Sequence, residues 1–469
     1  MLQLLKKVVG TWKRKNAKEL PECLMKIIVD SSPPRNAKLS AKYKRSFAYP
    51  SMAHRLPVIL TKVIDYLSRD KAVITKCYGE CAMEEVKEVI GEISQLKNHL
   101  QTSKQFEYFS SDDADTGVWN AHLNKKEELS ECLNYFESDW LFAECYVYRR
   151  LREIFATKYF LKTLDPFSSQ KSELLRISLP VVQSLFHYLF EKEILDATRV
   201  MELTQLQSEF CLLTKISLWG NRIDLSLKVD GEVSEDILNK ITEWDEYLLV
   251  DDSPKIFSTL CSTDNSDKIV DIVTDNDGVE ILCDLCLADL LVTRFHVKKV
   301  NFRVKPIPWF VSDVIPRDFQ QVISSVACHH DEIYESMGKR WQKYLDTGVW
   351  AVLSDQYWCL GKTYPEMCVE DPFLYSELQA SSLIIMKGDL NYRKLLSDIN
   401  WEPTTPFSKV VGNFQPAPLI VLRTCKADLI CGLKPGQAEK VSQKDPDWLT
   451  AGNYGIMQYN CNSDKVLRD

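Results

Sequence analysis

The stretch IVDIVTDNDGVEILCDL, residues 269–285, decides how the rest of the chain is read. Ile269 to Val273 is largely apolar and β-branched, a composition that suits a strand. Asp275, Asn276 and Asp277 then run into Gly278, and beyond it Ile281, Leu282 and Leu285 recur at helical spacing. The segment reads as strand, acidic turn, helix. An ordinary turn or helix cap needs one Gly and one Asp or Asn, whose short side chain hydrogen-bonds to nearby backbone. Two carboxylates and an amide exceed that need, so the surroundings must decide what they are for.

Working outward, short apolar runs alternate with helical patterns after residue 268, which predicts a parallel or mostly parallel sheet. The runs are Ile269 to Val273, Val300 to Val304, Leu383 to Met386 and Leu419 to Leu422. They end in TDNDG, in PIPWFVSDV with Asp313, in KGDLNYRK and in RTCK. In open α/β sheets ligands bind outside the carboxyl ends of the strands, where such loops converge. Asp275, Asn276 and Asp313 then supply two carboxylates and an amide oxygen, hard donors that suit Mg2+ or Mn2+ better than zinc. Three protein ligands leave positions open for water and a substrate oxygen. A phosphate ester fits such a site, with Lys387, Arg393, Arg423 and Lys426 as candidate partners for its oxygens. The alternative for these cations is solvated loop charge or, for Arg423, a structural carboxylate.

From about Phe47 to Leu227 the chain reads as helix. Leu56, Ile59, Leu60, Val63, Ile64 and Leu67 form one apolar stripe, and Trp140, Leu141, Cys145, Tyr148 and Leu151 another. VDSSPPRNAKLSAKYKR, rich in Ser, Pro and basic residues, reads as part of a mobile basic arm over 1–45. The organisation is thus an arm, a helical region over 46–250, and over 251–469 an α/β domain that carries the acidic residues and forms one unit with it. STDNSD at 262–267 repeats the Asp-Asn pair, but no strand precedes it and no apolar helix follows, so it reads as linker. Cys283 and Cys286 lie inside a predicted helix without a second pair at zinc spacing, and His329 and His330 follow a helix end; neither pair marks a site. Trp309 and Phe310 read as core or pocket wall.

The composition sets outer bounds. At 469 residues, with 45% hydrophobic and 26% charged content, the chain exceeds one hydrophobic core and has a globular balance. A net charge of -8 and the absence of any RNA or DNA motif argue against nucleic acid as partner, and no apolar run reaches the length of a membrane span. Fifteen cysteines without framework spacing fit reduced thiols, hence an intracellular, cytoplasmic protein, with the nucleus as the alternative. The basic start MLQLLKKVVGTWKRKNAKEL reads as a solvated helix rather than an organelle-targeting segment.

SLWGNRIDLSL (217–227), TDNDGVEILCDL (274–285), PWFVSDV (308–314), KGDLNYRKLL (387–396) and RTCKADLICGL (423–433) together resemble the metal-dependent damage-control phosphatase family. Arg423, Thr424, Cys425 and Lys426 match the RTxK string of the branch that joins sugar-phosphate phosphatases with acidic residue methyltransferase. The resemblance implies a helical amino-terminal region on a three-layer α/β/α, Rossmann-like domain. It also implies that Asp275, Asn276 and Asp313 are the catalytic, metal-binding set. Asp275, Asn276, Glu280, Asp389, Leu390, Asn391, Tyr392, Arg393 and Lys426 would contact substrate. Asn221 and Asp224 would cap or bridge the helical region to the acidic pocket. The implied cofactor is Mn, Ni, Co or Mg, and the implied activity is hydrolysis of small phosphorylated metabolites, sugar phosphates such as fructose 1-phosphate, in a house-cleaning role. The rival within the branch is carboxyl methylation of protein glutamates from S-adenosylmethionine. The chain has no Gly-rich loop after a first strand to favour that cofactor, whereas the acidic set is complete. The amino-terminal arm and the basic HVKKVNFRVK at 296–305 depart from the family pattern.

Overall fold

The computed structural model describes residues 27–230, 237–262 and 267–461. Its seven strands are β1 (Leu248–Asp251), β2 (Ile269–Val273), β3 (Lys299–Arg303), β4 (Trp350–Leu353), β5 (Leu383–Lys387), β6 (Leu419–Thr424) and β7 (Gly455–Asn460). They form one sheet in the order β1-β7-β6-β5-β2-β3-β4. The run from β6 to β4 is parallel, and β7 reverses direction against β6. The four runs predicted from the sequence are β2, β3, β5 and β6, the parallel centre of the sheet.

Successive strand residues point to opposite faces, and here both faces are apolar. Val273, Ile384, Met386, Leu419 and Val421 enter one core, while Val270, Ile272, Leu383, Ile385, Ile420 and Leu422 enter the other. Each face is covered by helices, which makes the three-layer α/β/α fold. The first core also receives α1 (Leu56–Arg69), α2 (Ala82–Gln101) and α3 (Trp140–Ala156). The second receives α4 (Leu203–Asp230), α5 (Val279–Phe295), α6 (Pro316–Ala327) and α7 (Glu332–Asp346). A short helix, α8 (Gly388–Leu395), follows directly on β5. Among the described residues no helix is long and apolar enough to cross a membrane.

The mobile arm expected over 1–45 is corrected from residue 27 onward. The Leu39 amide donates to the Asp398 carbonyl at 2.8 Å, the Asn36 amide to the Asn400 carbonyl at 2.9 Å, and the Trp140 amide to the Leu39 carbonyl at 2.8 Å. Leu39 and Ala41 are fully buried. Two small apolar anchors and a run of backbone hydrogen bonds hold a segment whose composition suggests solvation. Residues 1–26 lie outside the described residues, as do 263–266, the heart of STDNSD.

Candidate active site

β2 and β3 pair in register from Ile269↔Lys299 to Val273↔Arg303, so their chains leave the sheet side by side. The loop after β3 then folds back over the loop after β2. Asn276 and Asp313 form an isolated antiparallel bridge. The Val314 amide donates to the Asp275 carbonyl at 3.0 Å, and the Asp277 amide to the Ser312 carbonyl at 2.7 Å. Backbone pairing thus delivers Asp313 to the Asp275-Asn276 pair. The turn that allows this is strained: Phe310 and Val311 have φ of 43° and 75°, and a β-branched residue rarely adopts that region. Phe310 is held by stacking on Tyr148 at 4.5 Å, while Trp309 is buried, as core or wall.

Two amides knit the acidic residues together. The Asn221 Nδ2 donates to Asp275 Oδ2 at 3.1 Å and to Glu280 Oε2 at 2.8 Å. Asn276 Nδ2 donates to the same two oxygens at 2.7 and 3.0 Å, and its Oδ1 accepts from Ser312 Oγ at 2.6 Å. Asp224 caps α5, accepting from the Val279 amide at 2.8 Å and the Glu280 amide at 3.2 Å, which satisfies two donors that a helix start leaves open. Gly388 closes the site from the β5 side. Its φ is +85°, and a Cβ there would lie 2.1 Å from Asp275 Cγ. The start of α8 therefore presses its backbone against the Asp275 carboxylate.

The candidate cations separate into two groups. Lys426 reaches the site, with its Nζ donating to Asn221 Oδ1. Lys387 is fully buried behind it, 2.9 Å from Asp284 and 3.3 Å from Glu280, and donates to Ser217 Oγ at 2.8 Å. Arg423 is also buried, donating to Asp389 Oδ1 at 2.7 Å and to the Leu429 and Ala427 carbonyls at 2.9 Å each. Arg393 is placed otherwise than as a phosphate partner. Its guanidinium donates to Asp398 at 2.8 and 3.1 Å and to Glu144 at 2.6 Å, stacked over the Trp140 ring at 3.4 Å. Within the same string Asn391 bonds to the Lys387 carbonyl at 2.7 Å and Tyr392 to Gln458 at 3.0 Å, and Leu390 joins the core. The residue packed against Asp275 is Gly388, just before DLNYR, while the Asn391, Tyr392 and Arg393 side chains are buried among the partners named above.

One residue absent from the expected set stands at the centre. Lys305, two residues beyond β3, is buried, donates to the Thr274 carbonyl at 3.1 Å and lies 3.2 Å from Asp313 Oδ2. Its position just past a strand end was the available signal. Burial raises the Asp275 carboxyl well above the ordinary value, with repulsion from Glu280 and Asp313 added. Burial raises Asp313 as well, against the pull of Lys305. Asp313 Oδ2 is buried with no hydrogen bond of good geometry despite the nearby ammonium.

These observations fit a divalent cation. The donor set is hard, its carboxylates repel one another, and one buried carboxylate oxygen lacks a hydrogen-bonded partner. Among the described residues no group of three or more His, Cys, Asp or Glu is arranged to hold a metal; the Asn276 amide oxygen, which accepts from Ser312 Oγ, would have to complete the set with Asp275 and Asp313. The other pairs stay outside it: Cys283 and Cys286 are buried and free within α5, and His329 stacks on Tyr334 at 4.2 Å.

The model of the damage-control phosphatase ARMT1-like domain matches residues 51–441. The protein named damage-control phosphatase ARMT1 in Mus musculus is 39% identical over 438 residues, covering 90% of this chain and 98% of the relative. Its Danio rerio counterpart is 38% identical over 439 residues, covering 91% and 97%. The Homo sapiens protein is 37% identical over 436 residues, covering 90% and 98%. The matched residues 51–441 include β1 to β6 and every loop that builds the acidic cluster, and the chain belongs to the ARMT1-like damage-control phosphatase family.

Proposed function

We propose that the protein is a metal-dependent phosphomonoesterase that hydrolyses small phosphorylated metabolites, with sugar phosphates such as fructose 1-phosphate as the substrate class. The observation that supports this most is the Asn276–Asp313 bridge, which sets a second carboxylate beside Asp275, its Oδ2 buried and facing only the Lys305 ammonium at 3.2 Å. Asp275, Asn276 and Asp313 would hold Mn, Ni, Co or Mg. Such a cation, when bound, neutralises phosphoryl charge and favours attack by water.

The chain's own groups supply the rest. Lys426, at the carboxyl end of β6, offers a charged donor on the side of the site away from Lys305 and Asp313. The first amides of α8 have no partner within the helix, and the helix starts with Gly388 packed against Asp275; a helix start so placed is suited to phosphate oxygens. Glu280 is kept in place by Asn221, Asn276 and Lys387, 2.8, 3.0 and 3.3 Å away. All described cysteines are free, which supports an intracellular, cytoplasmic setting.

The test is a panel of phosphate esters presented to chelator-treated protein, alone and with each metal. Phosphate release that vanishes on chelation and returns with Mn, Co, Ni or Mg is the expected result. Release indifferent to chelation, or no release from any ester, contradicts the proposal.

A further inference from the structure

We propose that Asn221 is a positioning residue that locks the metal side of the site to its phosphate side, an inference that rests on the phosphatase reading above. Its amide nitrogen serves one half and its carbonyl oxygen the other. Nδ2 donates to Asp275 Oδ2 at 3.1 Å and Glu280 Oε2 at 2.8 Å, while Oδ1 accepts from Thr424 Oγ1 at 3.2 Å and from Lys426 Nζ. The neighbours dictate this orientation. Reversed, the side chain would set its oxygen against two carboxylates and its NH2 against an ammonium group and a hydroxyl.

The fold places Asn221 there through the residue before it. At Gly220 a Cβ would lie 2.7 Å from Glu280 Cα, so α4 approaches the first turn of α5 with backbone nearly on backbone. Only at that separation does the next residue of α4 reach across the amino terminus of α5 to the carboxyl end of β6. Asn221 is buried, and all four of its partners belong to motifs at strand or helix ends that flank the acidic pocket. A lone buried Asn serving the core alone needs partners, but it does not need partners of opposite charge on its two ends. Here it fixes the spacing between a carboxylate that would hold the cation and an ammonium group that would hold the phosphate.

The experiment pairs Mn2+ titration calorimetry with phosphatase kinetics on the full chain. Asn221→Ala is expected to weaken Mn2+ binding and to raise KM, each about ten-fold or more, the size of effect that outer partners of metal ligands produce. In a Lys426→Met background the added effect of Asn221→Ala on KM shrinks, because the two residues act as one unit, while its effect on Mn2+ persists. Thr424→Val, which keeps shape and removes one partner of Asn221, keeps the test readable if Asn221→Ala fails to fold; it should weaken both quantities in the same direction. A purely structural Asn221 would lower Tm and leave Mn2+ affinity and KM of the folded protein unchanged, which overturns the proposal. A wild-type protein that binds Mn2+ but hydrolyses no ester instead fails the phosphatase reading, and the linkage falls with it.

Discussion

Gly388 has its Cα against the Asp275 carboxylate, where a methyl group would sit 2.1 Å from Cγ, and its φ of +85° is one that L side chains rarely adopt. Gly388→Ala is therefore expected to displace Asp275 and abolish phosphate release, and to cost roughly 1–3 kcal/mol of stability through backbone strain. Kinetics and a denaturant melt check both; an active, fully stable variant would mean that β5 and α8 do not frame the site. That Asp275, Asn276 and Asp313 come together was legible because the first two end one apolar run and the third lies in the loop that follows another. Lys426 was legible through its motif. Arg393 shows where sequence reasoning stops: a cation in a loop string looks available until Glu144, 249 residues away in the chain, is found to meet it. Lys305 escaped notice for the opposite reason, since the basic run around it disguises a side chain that is wholly buried.

At the scale of elements, α5 and β5 are joined through a buried ion pair, Asp284 with Lys387 at 2.9 Å. Burial pushes the Asp284 carboxyl up to about 6, with Lys387 pulling it down and Glu280 pushing it up. Burial pulls Lys387 down, but Asp284 and Glu280 outweigh it and raise the ammonium above its ordinary value. A folded-state value above the unfolded one means that the folded protein holds the proton longer. The Asp284 contribution thus favours the fold at low pH and is lost as pH rises from about 4 to about 6, at most about 3 kcal/mol. Asp284→Asn should flatten the pH dependence of metal-free stability across that window, read by chemical denaturation at its two ends; an unchanged slope would contradict the assignment. β2, β3, β5 and β6 were legible because they are buried on both faces, β2, β5 and β6 as largely apolar runs and β3 through Val300, Phe302 and the following Val304. β1, β4 and β7 were not: β4 is only Trp350–Leu353, β1 is half-buried within a polar stretch, and β7 carries Gln458 and Asn460 among its six residues.

At the scale of the whole molecule, the helical layer and the sheet are fastened by Arg393. Its guanidinium joins Glu144 of α3 to Asp398, and Asp398 also accepts from the Leu141 amide at 2.8 Å and through its carbonyl from Leu39. Glu144 in turn meets Arg55 at 2.5 Å. Removing one member leaves buried charges uncompensated, so Arg393→Met is expected to cost roughly 3–5 kcal/mol in stability while the folded fraction keeps its KM. A raised KM with unchanged stability would restore Arg393 to the substrate. The same fastening explains why residues 27–45 pack although their composition resembles a tail.

Under the proposed function, Asp275, Asn276 and Asp313 hold a divalent cation at which a phosphate ester is hydrolysed. The measurement closest to it is Mn2+-dependent phosphate release from fructose 1-phosphate by chelator-treated wild-type and Asp313→Ala proteins, side by side, with carboxyl methylation from S-adenosylmethionine followed in parallel. Release that rises and saturates with Mn2+ in the wild type, and stays at background in a folded Asp313→Ala protein, is the predicted result. Equal release by both proteins, or carboxyl methylation by both with no phosphate released from any ester, would contradict it.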